Sequence, residues 1–282
     1  MTSFRFNFSG NTDDFLQSED KEEEVEWLSC EEIIPNNQVK EIKDLFSHTK
    51  MFTCDDVNIK RVSPNNIITY LKDKGIETVL DLSEKEHSDL ITGKYEGGMK
   101  IWECTYDLIR YLKENLEIIL FKDKKVLDLG CGVGILGIYS LLQGANVTFQ
   151  DYNKVVIEYS TIPNIYLNFE DEESSEKIKK CKFYSGDWDS FDKLLEESEK
   201  FDIILTSDTL YNTNNYNKLI NLFQHRLSDN GVIFIASKTH YFGVGGGTSQ
   251  FESAIKDTSL KSEVIWKKRN GFQREILKIK KS

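Results

Sequence analysis

The sequence predicts an α/β fold, a doubly wound and mostly parallel sheet with helices on both faces. Three observations carry that expectation. From Gly97 onward, short apolar runs alternate with helix-length amphipathic stretches, the pattern of parallel strands joined by crossover helices. The runs "FDIIL" and "GVIFIA" are continuously apolar, as strands covered on both faces must be. A glycine turn, Gly130-Cys131-Gly132, follows the first run, "KVLDL", at the strand edge where such sheets bind ligands.

In order, the pattern places a helix over 102–120, a strand over 125–129, a helix over 133–143 and a strand over 145–150. A helix over 154–168, a strand over 181–184, a helix over 190–197 and a strand over 201–206 come next, then a helix over 214–228 and a strand over 231–236. The charged run "EDEESSEKIKK" (170–180) reads as a surface loop. At the end, "SEVIWKK" and "REILKIK" flank Asn270-Gly271, a hairpin signal. Upstream, residues 51–95 form a small cap, with "VNIKRV" and "ETVLDL" around a helix from Pro64, where proline suits a first turn. Residues 1–50 form an acidic, flexible extension: "SEDKEEEVE" is a block of like charge. Phe4, Phe6 and Phe8 alternate with polar residues and define an alternative, a short docked strand. Residues 96–282 are then the main domain.

Composition narrows the function. The 282 residues carry a net charge of −11, which disfavours a grip on a phosphate backbone and suits a basic protein partner. No direct nucleic-acid contact, no membrane span and a monomer are expected. The five cysteines are odd in number and form no CxxC pair, as in a reduced intracellular protein. The four histidines show no ligand spacing, so no metal site is expected.

Gly132, Gly134 and Gly137 satisfy G-x-G-x-x-G, so a dinucleotide is one candidate ligand. Asp128, two residues before Gly130, points elsewhere: a carboxylate beside the turn repels a pyrophosphate and attracts an ammonium or sulfonium. S-adenosyl-L-methionine has both and no phosphate. Asp151 closes the second strand about where a ribose-binding acid is expected, flanked by Gln150 and Tyr152. After the third strand, Asp187 can accept from an adenine amino group and Trp188 offers a stacking face. Gly97 and Gly98 make a turn before Trp102–Thr105 open a helix. Ser207 and Asp208 emerge after the fourth strand, over the position of a transferable methyl.

Several of these stretches together resemble one family. They are "SDLITGKYEGGMKIWECTYDL", "KKVLDLGCGVGILGI", "FQDYN", "CKFYSGDW", "ILTSDTLYN" and "ASKTHYFGVGGG". The family is the protein-histidine N-methyltransferases of the methyltransferase-like protein 18 group, also called histidine protein methyltransferase 1. The resemblance covers about residues 88–282. It implies the class I, seven-strand, Rossmann-like methyltransferase fold that ends in an antiparallel hairpin, and S-adenosyl-L-methionine as donor. It implies as substrate a histidine side chain on a large-subunit ribosomal protein, in cytoplasm or nucleus. Donor contacts map to Ile101, Trp102, Glu103, Cys104, Thr105, Gly130, Gln150, Asp151, Tyr152, Asp187, Trp188 and Ser207, beside Asp128 and Gly132 of the turn. Departures are "SDT" where some members have "SET", and a short N-terminal region.

For the acceptor side, the loop "KTHYFGVGGGTS" offers Tyr241 and Phe242 as flat faces, and Gly243, Gly245 and Gly246 as a mobile backbone. Asp208 is expected to accept the second ring N–H of a histidine, fixing its tautomer. Tyr211, Asn212 and His240 are the further candidates, His240 as a base or as an ordinary packed histidine. Two rivals stand beside this reading. One is a lysine methyltransferase of the same fold, for which Tyr211, Tyr241 and Phe242 supply an aromatic cage. The other is a non-catalytic escort of ribosomal proteins.

Overall fold

In a computed structural model, residues 26–35, 49–169 and 171–282 are described; the Phe4–Phe8 stretch lies outside them. The strands are β1 (Glu31–Glu32), β2 (Thr49–Cys54), β3 (Val57–Val62), β4 (Lys125–Leu129), β5 (Asn146–Asp151), β6 (Lys182–Ser185), β7 (Phe201–Ser207), β8 (Leu227–Lys238), β9 (Leu260–Lys268) and β10 (Arg274–Lys281). All except the β2–β3 hairpin join one sheet, ordered β1-β6-β5-β4-β7-β8-β10-β9. β6, β5, β4, β7 and β8 are parallel. β10 and β9 close the far edge antiparallel. From β4 the chain steps outward to β5 and β6, then returns to β7 on the other side. That reversal opens the crevice at the carboxyl ends of β4 and β7 where ligands enter such sheets.

The continuously apolar runs are buried on both faces. Val126, Phe149, Phe183 and Leu205 pack in one core, and Leu127, Leu129, Ile204 and Ile235 in the other. The helix Ile135–Leu142 lies tight on β5 because residue 137 is glycine: a Cβ there would sit 2.1 Å from the Phe149 ring.

The expected helix at 154–168 contains a π turn, Ile157–Thr161, between Lys154–Val156 and Ile162–Leu167. Pro163 has no N–H for the preceding turn, and the widened turn accommodates it. The structure corrects two expectations. Residues 171–180 are a helix rather than a loop: Ile178 is buried and the Ser174 hydroxyl donates to the Tyr166 and Phe169 carbonyls. Lys177, Lys179 and Lys180 fall in its last turn, where their positive charge complements the negative end of the helix dipole. Second, part of the supposed flexible extension is docked. β1 pairs antiparallel with β6, and the Ile33 N–H donates to Phe183 O at 2.7 Å.

The cap comprises the β2–β3 hairpin and the helices Pro64–Asp73 and Val79–Glu86, the latter closed by a capping box at Thr78. Asn164 ties it down. Its Oδ1 accepts the Val62 N–H at 2.7 Å, and its Nδ2 donates to Val133 O at 2.8 Å. Gly137→Ala should therefore cost at least about 2 kcal/mol by overpacking against Phe149; a urea unfolding midpoint unchanged from wild type would contradict this packing.

Candidate active site

A cavity of about 960 Å³, including its mouth, opens over the carboxyl ends of β4, β5, β6 and β7. Its floor is the glycine turn. Gly130 (φ +64°) and Gly132 (φ +52°) are left-handed, and a Cβ on Gly132 would lie 2.8 Å from Gly98 O. Only glycine meets both conditions, so the Gly97-Gly98 turn can rest directly on this one.

The turn's N–H groups all point into the protein. Gly130 N–H reaches Gln150 Oε1 at 3.4 Å, Cys131 N–H donates to Gln150 O at 2.8 Å, and Gly132 N–H to Asp151 Oδ2 at 2.9 Å. None is left to cradle a pyrophosphate, which removes the dinucleotide reading. Asp151 lines the cavity with its second oxygen accepting Asn153 N–H at 3.1 Å. Burial pushes its pKa up to about 6, against the pull of these N–H donors.

Gln150 and Asp128 are not on the wall. Gln150 is fully buried beneath it: Nε2 donates to Gly186 O at 2.8 Å, and Oε1 accepts Trp188 Nε1–H at 3.0 Å. It sets the Trp188 ring, which does line the cavity. Asp128 sits behind the turn with Oδ2 accepting the Gly137 N–H at 2.7 Å, while Oδ1 has no partner among the described residues. Burial pushes its pKa up to about 7. Its expected attraction for a cationic ligand is thus corrected to anchoring a helix N-terminus.

Ile101, Trp102 and Thr105 face the cavity. Trp102 Nε1–H donates to Gly97 O at 3.2 Å, and the Thr105 and Ser207 hydroxyls share a bond of 2.9 Å. Glu103 and Cys104 turn away: Glu103 pairs with Arg274 at 3.1 Å, and the Cys104 side chain is core. Asp187 lines the cavity, accepts Asp189 N–H at 3.0 Å as a helix cap, and pairs with Lys218 at 2.6 Å. Tyr152 also lines it. Its hydroxyl donates to Gly93 O at 2.8 Å and accepts Leu28 N–H at 3.1 Å.

Two tyrosine–carboxylate pairs line the same cavity. The Tyr241 hydroxyl donates to Asp208 Oδ1 at 2.7 Å, and the Tyr211 hydroxyl to Glu96. The rings stand 6.3 Å apart, edge to face. Asp208 has left-handed backbone (φ +56°), and its Oδ2 accepts Cys104 N–H at 2.9 Å. Burial raises its pKa, opposed by the Tyr241 and Cys104 donors. Both its oxygens are therefore already engaged with the fold.

The other acceptor candidates divide. Asn212 caps the Thr213–Asn215 turn through Asn214 N–H at 3.0 Å and does not line the cavity. His240 is exposed, with Nδ1 3.2 Å from Thr239 O, and Phe242 is 80% exposed; both line a separate surface depression. Gly243 and Gly245 have open space around them, whereas a Cβ on Gly246 would meet Leu210 O at 2.1 Å. The loop is thus free at its tip and pinned at its base, where Gly247 N–H donates to Tyr216 Oη at 2.9 Å. Glu96 and Trp27 line the cavity and were not singled out from the sequence. Glu96 lay within the quoted "YEGGMK", next to the glycines that drew notice.

The wall fits S-adenosyl-L-methionine. It offers a carboxylate at the second strand's end, flat indole faces and an acidic lining, and no phosphate cradle. Fold and cavity together are of the class I S-adenosylmethionine-dependent methyltransferase type. The chain belongs to the methyltransferase family whose model is described as lysine methyltransferase and matches residues 80–255. Relatives named "Histidine protein methyltransferase 1 homolog" match as well. The Dictyostelium discoideum protein is 52% identical over 183 residues, covering 65% of this chain and 55% of the relative. The Bos taurus protein is 46% identical over 206 residues, with the same coverage of 65% and 55%. The Rattus norvegicus protein is 36% identical over 252 residues, covering 82% of this chain and 66% of the relative. The chain thus spans little more than half the length of the first two.

Asp151 gives the site a pH signature. Its pKa near 6 lies above the ordinary aspartate value, so the free carboxylate is ionised above that point and protonated below it. Affinity for S-adenosylhomocysteine should be flat above about pH 7 and fall below pH 6 as a charge-assisted acceptor is lost. Asp151→Asn should bind weakly at every pH and lose the dependence. Calorimetric titration across pH 5–8 checks this; a wild-type profile flat through pH 5 would exclude Asp151 from the contact.

Proposed function

We propose that the protein is an S-adenosylmethionine-dependent protein-histidine N-methyltransferase acting on a histidine side chain of a basic protein. The resemblance points to a large-subunit ribosomal protein, met in cytoplasm or nucleus by a monomer that makes no direct nucleic-acid contact. Among the described residues no helix is long and apolar enough to cross a membrane. The relatives' names support the histidine acceptor. The observation that carries the reading is the pair of tyrosine–carboxylate couples facing the donor cavity.

The bound donor supplies a methyl group activated by its sulfonium. Asp151, Trp188, Asp187 and the Trp102 ring, which line the cavity, would hold it. A neutral imidazole nitrogen is nucleophilic without a base, so the protein's task is to fix one tautomer, align the ring and exclude water. Tyr211 suits the first task. Its hydroxyl donates to Glu96, and among the described residues no donor approaches its oxygen. It therefore keeps lone pairs for the second ring N–H. The Tyr241 hydroxyl is less free: it donates to Asp208 and lies 3.0 Å from Ser237 Oγ and 3.3 Å from the Lys238 N–H that donates to it. Asp208, first expected to accept the ring N–H itself, then acts by its charge, together with Glu96, on the positive ring that forms.

A second reading, transfer to lysine, is favoured by the description of the family model. Lysine must first lose a proton, and a carboxylate–tyrosine couple is a route for one. Incubation with labelled donor and a basic protein fraction, followed by hydrolysis and amino-acid analysis, separates the two: methylhistidine supports the proposal and methyllysine overturns it. Tyr211→Phe should lower single-turnover methyl transfer by about 10²-fold, the scale of one lost preorganised partner. S-adenosylhomocysteine affinity should stay within about threefold, since Tyr211 serves the acceptor side. A rate within fivefold of wild type would remove Tyr211 from that role.

A further inference from the structure

We propose that Trp27 is a donor-binding residue, carried on an N-terminal strap (residues 26–33) that completes the wall of the cavity. The inference rests on the donor reading above and adds a contact from a segment outside the family match, which begins at residue 80.

The strap crosses the ends of β5 and β6. Leu28 N–H donates to the Tyr152 hydroxyl at 3.1 Å, Leu28 O accepts Asp187 N–H at 2.9 Å, and Cys30 N–H donates to Ser190 Oγ at 2.7 Å. Two of its partners, Tyr152 and Asp187, belong to the cavity wall. Gly186 lets it pass: a Cβ there would lie 2.6 Å from Cys30 Cα. β1 then adds two residues to the sheet edge.

Trp27 itself lines the cavity. Its ring meets Tyr152 edge to face, with centroids 6.1 Å apart. On it rests the Lys218 ammonium, 3.5 Å from a ring centroid, and the same ammonium pairs with Asp187 at 2.6 Å. The indole is thus held by an aromatic contact to the wall residue Tyr152 and a cation–π contact to Lys218, itself paired with the wall residue Asp187. A large flat side chain so placed presents a stacking face to a nucleoside. Leu28, Ser29, Glu31 and Glu32 are exposed, and the strap's hold on the sheet is a two-residue edge strand, so its local opening is inexpensive. Ligand contact with Trp27 and docking of the strap must therefore reinforce each other.

The test reads binding and not turnover. S-adenosylhomocysteine is titrated calorimetrically into wild type, Trp27→Ala, Trp27→Phe and a variant lacking residues 1–25. Trp27→Ala should raise Kd about tenfold, the scale of one aromatic–base stack. Trp27→Phe should recover to within about threefold of wild type, and the deletion should leave Kd unchanged. Hydrogen exchange at the Leu28, Cys30 and Ile33 amides should slow in wild type on adding the ligand. A Trp27→Ala Kd within threefold of wild type, a loss that phenylalanine does not restore, or strap amides indifferent to ligand each overturns the proposal. Wild-type protein that binds no S-adenosylhomocysteine overturns the donor reading itself, which keeps the two failures apart.

Discussion

The turn after β4 is satisfied from inside the protein, and much of the architecture follows from that. Gly130, Cys131 and Gly132 send their N–H groups to Gln150 and Asp151. The Gly132 carbonyl must then be held from the other side, and the Thr161 hydroxyl does so at 2.7 Å. Thr161 closes the π turn that Pro163 imposes on its helix. One turn further, Asn164 takes the Val133 carbonyl and with its other end the Val62 N–H. The cap is therefore fastened to the segment that follows the glycine turn, and its position is set by the same chain of polar contacts that shapes the ligand floor.

This constraint also separates two uses of one sequence pattern. G-x-G-x-x-G presents N–H groups to phosphate when they are free. Here a strand-end glutamine and aspartate consume them, so recognition passes to side chains of neighbouring strands. The Asp128 oxygen that lacks a partner among the described residues belongs to the same arrangement. A carboxylate sealed behind the turn keeps one bond to the helix N-terminus and tolerates burial by a raised pKa.

What the sequence made legible was the order of the sheet and the strand ends, because buried parallel strands cannot hide their apolar runs. Which way each strand-end residue faces was less legible. Alternation along β4 puts Asp128 on the face of Val126, under the helix Ile135–Leu142, and that period was available. Proximity to the glycines outweighed it. The helix at Asp171–Lys180 was obscured because its charge masked the buried Ser174 and Ile178. Trp27 was lost for a similar reason: it directly follows the like-charged block, and composition spoke for the whole extension. Glu96 and Tyr211 lie 115 residues apart, so no local pattern could have paired them.

The acidic lining acquires a purpose in the proposed reaction, which moves one positive charge across the cavity without creating another. Asp151, Glu96 and Asp208 all line that cavity, and Glu96 lies close enough to Asp151 to help raise its pKa. Asp187 is neutralised by Lys218 and contributes shape and capping more than field. A site that stabilised only the donor's cation would hold the reactant and slow transfer, because uniform binding of the ground state does not lower a barrier. The two tyrosines resolve this. Each donates its hydroxyl to one oxygen of its carboxylate. The negative charge of Glu96 and Asp208 is thereby present and fixed in place before the proposed acceptor becomes positive.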